Sequence, residues 1–262
     1  MAKFGYIFAF IVGVIVFNSC TQQPEFTSHQ SENFIIRQPE LKKAYGAYLA
    51  GRVAHLRKNF NVAADYYMEA LNEDPENKEL LGRVYVILAS KGRISEAAKY
   101  AEISLKKGDK NNFTYIIMAV DEMKKGRYEQ VNETVGHLDG PVYKEFIIPL
   151  MSAWAYAGLN QPDKALKTLA VLDKEPSFRA LYHFHAGMLN DYFDRTDEAR
   201  RHYEIIVNDE SMEMSFRSLQ VITNFYIRNG EKDKAVQLAT RYTDEKLLAC
   251  LLYTSDAADE AR

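Results

Sequence analysis

Apolar and polar positions divide the chain into three stretches. An uncharged apolar run from Phe4 to Phe17 stands behind one positive charge, Lys3. From Thr21 to Glu40 the chain is polar and irregular, with Pro24 and Pro39, broken only by the apolar patch Phe34-Ile35-Ile36. Beyond it no segment shows the period-two alternation of a half-buried strand. Instead small residues return at a fixed interval: Ala63, Ala97, Val131, Ala165, Ala199 and Ala235, the first five spaced by 34 residues and the last by 36. Self-similarity at that period predicts an all-α array of helix-turn-helix units over 41–249. The units start near Ala44, Lys78, Asn112, Phe146, Ala180 and Phe216, giving 44–77, 78–111, 112–145, 146–179, 180–215 and 216–249.

The repeat has a packing logic. Two helices that cross closely need small side chains where their backbones meet, and the aligned alanines are one such place. A second is the eighth position of each leading helix, held by Gly51, Ala119, Ala153 and Gly187, with Tyr85 and Thr223 departing. Tyr67 and Tyr203 in the second helices, and Tyr156 and Tyr226 in the first, fill the gaps between layers. The turns read Gly92-Arg93-Ile94-Ser95, Gly126-Arg127-Tyr128-Glu129, Asp194-Arg195-Thr196-Asp197 and Gly230-Glu231-Lys232-Asp233. At their last place Asn61, Ser95, Asp163, Asp197 and Asp233 are expected to cap the second helix, Glu129 being the exception. The two extra residues of the last interval fall in the polar stretch Asn208 to Ser215.

These residues, with the proline of Asp74-Pro75 closing the first unit, resemble the tetratricopeptide family, whose unit packs a helix A against a helix B. The resemblance implies a right-handed superhelical solenoid of about six repeats whose concave face is lined by helix A. Projected onto that face, the sequence gives a groove of Tyr45, Tyr48, Arg52 and His55, then Phe113, Ile116, Val120 and Met123. It continues through Ile147, Leu150 and Trp154 to Leu181, Phe184, Met188, Asp191 and Tyr192. An apolar concave surface of this extent suits an extended peptide or an amphipathic helix. The alternatives are that these side chains pack between neighbouring repeats, or that Phe34-Ile35-Ile36 fills the groove. Gripping a carboxylate tail, as some relatives do, is not supported: Arg52 and Lys124 are the only cations at the corresponding places of the first three repeats.

The two ends carry their own signals. Fourteen apolar residues match a signal-peptide core and fall short of the roughly 18 to 20 that span a bilayer. Phe17-Asn18-Ser19-Cys20 resembles the lipobox of bacterial lipoproteins, implying a signal peptide over 1–19, lipidation at Cys20 and a tether over 20–40. An uncleaved anchor or ordinary cleavage is the alternative. Thr21 after the cysteine, rather than Asp, implies outer-membrane sorting and a periplasm-facing location in the cell envelope. Residues Cys250 to Glu260 resemble the translation of a transposon-based sequencing adapter, so 250–262 is expected to be an artefact and the native chain to run past Ala249.

Composition changes little in this picture. The 33 Lys and Arg against 36 Asp and Glu give a net charge near −3, without the basic excess a nucleic-acid partner requires. Two cysteines, Cys20 and Cys250, cannot build a disulfide framework. Among the six histidines, His183 and His185 lie two apart on a predicted helix and point in different directions, so they cannot share a metal as an i, i+4 pair would. Asp121 and Glu122, beside Lys124 and Lys125, are expected to be solvent-exposed. No Walker-type loop, nucleophile elbow or His-Glu-x-x-His motif is present, and no cofactor, metal or catalytic residue is expected. The sequence therefore points to a non-enzymatic scaffold that holds a protein or peptide in an apolar groove and meets the membrane through a lipid anchor. A periplasmic carrier or chaperone of apolar ligands, or the helper domain of an enzyme lying downstream, is the alternative.

Overall fold

The computed structural model describes residues 39–242, apart from 210 and 213, with side chains from residue 43 onward. Cys20 and the signal segment, the patch Phe34 to Ile36, residues 243–249 and the tail from Cys250 lie outside the described residues. The chain divides into a unit Met1–Lys42 and a unit Lys43–Arg262, and the second holds the repeats.

Among the described residues there are twelve α-helices and no strand. They pair in chain order: α1 (Pro39–Leu56) with α2 (Phe60–Glu73), α3 (Lys78–Ser90) with α4 (Ile94–Lys106), and α5 (Asn112–Lys124) with α6 (Tyr128–Val135). The series continues as α7 (Ile148–Gly158) with α8 (Pro162–Leu169), α9 (Arg179–Tyr192) with α10 (Thr196–Asn208), and α11 (Phe216–Arg228) with α12 (Lys232–Tyr242). The fourth pair is the irregular one. A wide π-type turn, Tyr143–Ile147, leads into α7, and α8 runs out through 3-10 turns at Ala170–Lys174 and Pro176–Phe178.

One turn joins the helices of every pair. Lys58, Gly92, Gly126, Asn160, Asp194 and Gly230 hold φ between 56° and 78°, at the same place of each repeat. The amide after each reaches back to a carbonyl in the last turn of the leading helix, from Asn59 to Ala54 at 2.9 Å and from Glu231 to Tyr226 at 2.8 Å. This six-to-one closure satisfies carbonyls that a helix end leaves free, and it needs a left-handed residue, which glycine supplies without strain. Three of the six turns meet the need with Lys, Asn or Asp.

The same geometry corrects the expected caps. Asn61, Ser95, Asp163, Asp197 and Asp233 are each the second residue of their helix, because the closure delivers the chain into the next helix two residues earlier. Asn59 caps α2, whereas Arg93, Arg127, Gln161 and Arg195 precede their helices with no side-chain cap. The acidic residues act instead on the positive end of the helix dipole. Ser95 donates to Asp121 Oδ1 at 2.7 Å.

The joint inside each pair is volume-matched. Ala63, Ala97, Val131, Ala165, Ala199 and Ala235 are all fully buried. Opposite the eighth position, Gly51 lies under Tyr67 and Gly187 under Tyr203, and a methyl at either glycine would overlap the ring. Where the leading helix carries Tyr85 or Thr223, the register partner is Ala101 or Ala239; where it carries Ala119 or Ala153, the partner is Val135 or Leu169. All of these are buried, and in every pair a larger residue stands in register with a smaller one.

Candidate protein-binding surface

Successive leading helices present a row of side chains, and the row is uneven. In α1 it is Tyr48, Arg52 and His55, and 34 residues later in α3 it is Gly82, Val86 and Ala89. Because Gly82 has no side chain, a cleft of about 640 Å³ opens between the end of α1, the start of α2 and α3. Phe60, Val86 and Ile87 give it an apolar wall, and His55, Glu79, Arg83 and Lys91 a polar rim. The Lys91 ammonium stands 4.7 Å from the Phe60 ring centroid, an attraction between cation and ring face. Arg83 donates to Glu79 at 2.7 Å, and that hydrogen bond holds the guanidinium above its ordinary pKa. A second cleft, of about 570 Å³, lies where α9, α10 and α11 meet, with Leu181, Phe184, Ile206 and Met212 beside Arg179, Asp209 and Ser215.

Between the clefts the row is filled by its own side chains. Trp154 is half-buried against the core of the fourth and fifth pairs, and its Nε1 donates to His185 Nδ1 at 3.0 Å. That bond needs a neutral ring at His185, and burial pushes its pKa down to about 4. His183 and His202 face each other across α9 and α10, Nδ1 to Nδ1 at 2.9 Å. Burial lowers both, His202 to about 4 with His183 and Arg201 adding to the shift. Among the described residues no group of three or more His, Cys, Asp or Glu converges to hold a metal.

The expected groove residues divide by environment. Tyr45, Arg52, Phe113, Val120 and Tyr192 are exposed. Tyr48 packs on the core of the first two pairs, its ring centroid 6.0 Å from that of Tyr67. Ile116, Met123 and Ile147 are half-buried on the core around α5 to α7, Leu150 on that of the fourth and fifth pairs, and Phe184 and Met188 on that of the fifth and sixth. Leu181 opens on the second cleft. Asp191 accepts from Arg228 at 2.6 Å.

Asp121 and Glu122 are buried, contrary to the expectation of a solvent-exposed pair. Burial pushes Asp121 up, but the hydrogen bonds from Lys125 and Ser95 outweigh it and hold the carboxyl below its usual range. Glu122 is raised by burial, against the pull of Thr134 and Arg127. The reason is register: Asp121 faces Ser95 of the preceding pair, with Lys125 and Arg127 reaching it from the turn, and Glu122 faces Thr134 on α6 of its own pair.

The α3 part of the row was absent from the sequence reading. Its signal was the interval itself, since Tyr48 and Arg52 advanced by 34 residues give Gly82 and Val86, but neither is aromatic and a missing side chain leaves no mark in a list of apolar residues.

The sequence matches no family model and no curated protein. The structure is similar to a tetratricopeptide repeat protein from Parabacteroides merdae, at 12% identity over 81% of this chain and 84% of that one, with a TM-score of 0.62. It is also similar to MamA, from residue 41 to its end, of Desulfovibrio magneticus, at 18% identity over 66% of this chain and 98% of that one, with a TM-score of 0.54. At these identities the likeness shows the fold, a tetratricopeptide-type solenoid of helix pairs.

Proposed function

We propose that this chain is a non-enzymatic scaffold of the bacterial envelope that binds a peptide or helix of another protein along the row of leading helices, anchored in the cleft between α1 and α3. The observation that carries this reading is the cleft itself: an open apolar wall of Phe60, Val86 and Ile87 with charged groups at its rim. Such a pocket takes one bulky apolar side chain and leaves its neighbours to polar contacts. The filled stretch at Trp154 serves this reading as support for the groove, not as its anchor. Export and lipidation at Cys20 belong to the same proposal and rest on the sequence alone.

Photocrosslinking tests the binding surface. A probe at Val86 is expected to give a discrete adduct to one envelope protein, and a probe at Trp154 a weaker one. Val86→Asp should weaken capture without lowering the melting temperature. Absence of any adduct at either position would overturn the groove reading, and co-purified lipid in the cleft would favour the carrier alternative. For the anchor, Cys20→Ala should abolish incorporation of labelled palmitate; a variant that stays labelled ends the lipoprotein part.

A further inference from the structure

We infer that the segment bound beside Gly82 carries an Asp or Glu side chain close to its apolar anchor, so that the partner is an acidic amphipathic segment of another protein. This deepens the groove reading and rests on it. Register carries the argument. The place of Arg52 on its leading helix is held in the later pairs by Val86, Val120, Trp154, Met188 and Asn224. The place of Arg83 is held in the other pairs by Leu49, Ile117, Met151, His185 and Val221. None of these is a cation, His185 being the neutral acceptor of the Trp154 hydrogen bond. The two guanidiniums therefore stand only where the row is open.

Their surroundings are rich in donors and poor in acceptors. Arg52 Nη1 donates to the Tyr48 hydroxyl at 3.4 Å, and Arg83 Nη2 donates to Glu79 at 2.7 Å. Arg83 Nε and the Tyr67 hydroxyl are buried and have no hydrogen-bond partner. Burial raises the pKa of that hydroxyl, and the charges of Arg83 and Arg52 pull against it, so both guanidiniums lie within electrostatic reach of Tyr67. Further along the rim, Lys91 meets the face of the Phe60 ring and pairs with no carboxylate among the described residues. Glu79 is the one carboxylate that lines the cleft, and it is engaged by Arg83. Unpaired buried donors are costly. An incoming carboxylate suits them, because it accepts from guanidinium and phenol with the assistance of charge.

The same arrangement says which carboxylate. The row runs on from the cleft to exposed Phe113 and Val120 on α5, so the bound chain passes over Gly82 instead of ending there. Its carboxylate is then a side chain, and the bulky neighbour that fills the wall of Phe60, Val86 and Ile87 lies one helical turn away. A basic segment would set its cations against Arg52 and Lys91, which charge complementarity forbids.

Display selection against the full chain tests this, with random peptides of about twelve residues flanked on both sides by neutral linkers so that no chain end is offered. Enriched peptides are expected to place Asp or Glu within one turn of Trp, Phe or Leu. In fluorescence anisotropy, replacing that acid by its amide should weaken a synthetic copy at least about tenfold. Arg52→Gln with Lys91→Gln, two exposed positions, should erase the difference and leave the melting temperature unchanged. Salt reads the same charge without a variant: going from about 0.05 to about 0.5 M should weaken the acidic peptide and spare its amide counterpart. Enriched peptides with no acid near the anchor, or an acid preference that survives both the double variant and salt, overturn the inference and leave the groove reading standing. Absence of enrichment, or enriched peptides that bind Val86→Asp equally well, overturns both.

Discussion

In the first and fifth helix pairs a glycine of the leading helix lies under a fully buried tyrosine of the next, Gly51 under Tyr67 and Gly187 under Tyr203. The joints match, and the surroundings do not. Around the fifth pair, Trp154 reaches His185 from one neighbour and Phe225 packs edge-on to Tyr203 from the other, with centroids 4.9 Å apart. Around the first, Leu49 and Val53 stand in the open and the cleft beside Gly82 is empty of side chains. The difference teaches that the joint builds each pair, while the neighbours decide whether its apolar surface is core or open surface.

The largest expected effect breaks the joint itself. Gly187→Ala should destabilise the protein by about 3 kcal/mol, because the buried Tyr203 ring has nowhere to move. Gly51→Ala should cost less in global unfolding, since an end pair can open alone. Urea denaturation followed by circular dichroism measures both, and equal losses would contradict the contrast.

Acid should strike the fifth pair next. His185 and His202 have folded pKa values near 4 against an ordinary 6.5. As pH falls below 6.5 the unfolded chain binds protons that the native rings refuse, so stability present at neutral pH is lost toward pH 4. His185 alone should remove about 2 kcal/mol between pH 7 and pH 5. Hydrogen exchange at pH 5 should therefore speed first in α9 and α10, and uniform exchange along the chain would count against this.

A smaller change tests the Trp154 contact. Trp154→Phe should cost about 1 kcal/mol by leaving His185 Nδ1 without its donor. It should also raise the His185 pKa toward its ordinary value, which an NMR titration reads. The smallest effect is a gain: Asp194→Gly, which relieves a left-handed residue at φ 56°, should stabilise by about 0.5 kcal/mol, the relief being partly offset by the freer unfolded chain. A lower melting temperature would show that the aspartate does something at that turn besides closing it.

Much of the fold was legible because the repeat is one-dimensional. The interval of 34 places each residue by its neighbours in sequence, so the alanines at the crossings follow from pattern alone, whereas Tyr67 and Tyr203, expected to fill gaps between layers, lie over Gly51 and Gly187 inside their own pairs. Caps were misread because the same polar residues serve as a cap or as a first-turn charge, and only the closure of the preceding turn tells which. Asp121 and Glu122 were misplaced for a related reason, since burial of a carboxylate depends on cations such as Lys125 and Arg127 arriving from a turn.

By itself the sequence determined the helices, their pairing and the places where backbones meet, since these depend on side-chain size at fixed intervals. Tertiary structure alone decided which apolar side chains remain open. Leu49 and Ile117 share a register and both are aliphatic, yet one is bare and the other buried. Whether such a side chain is core or surface is set by what the adjoining pair places against it, and that is a property of contacts across the stack.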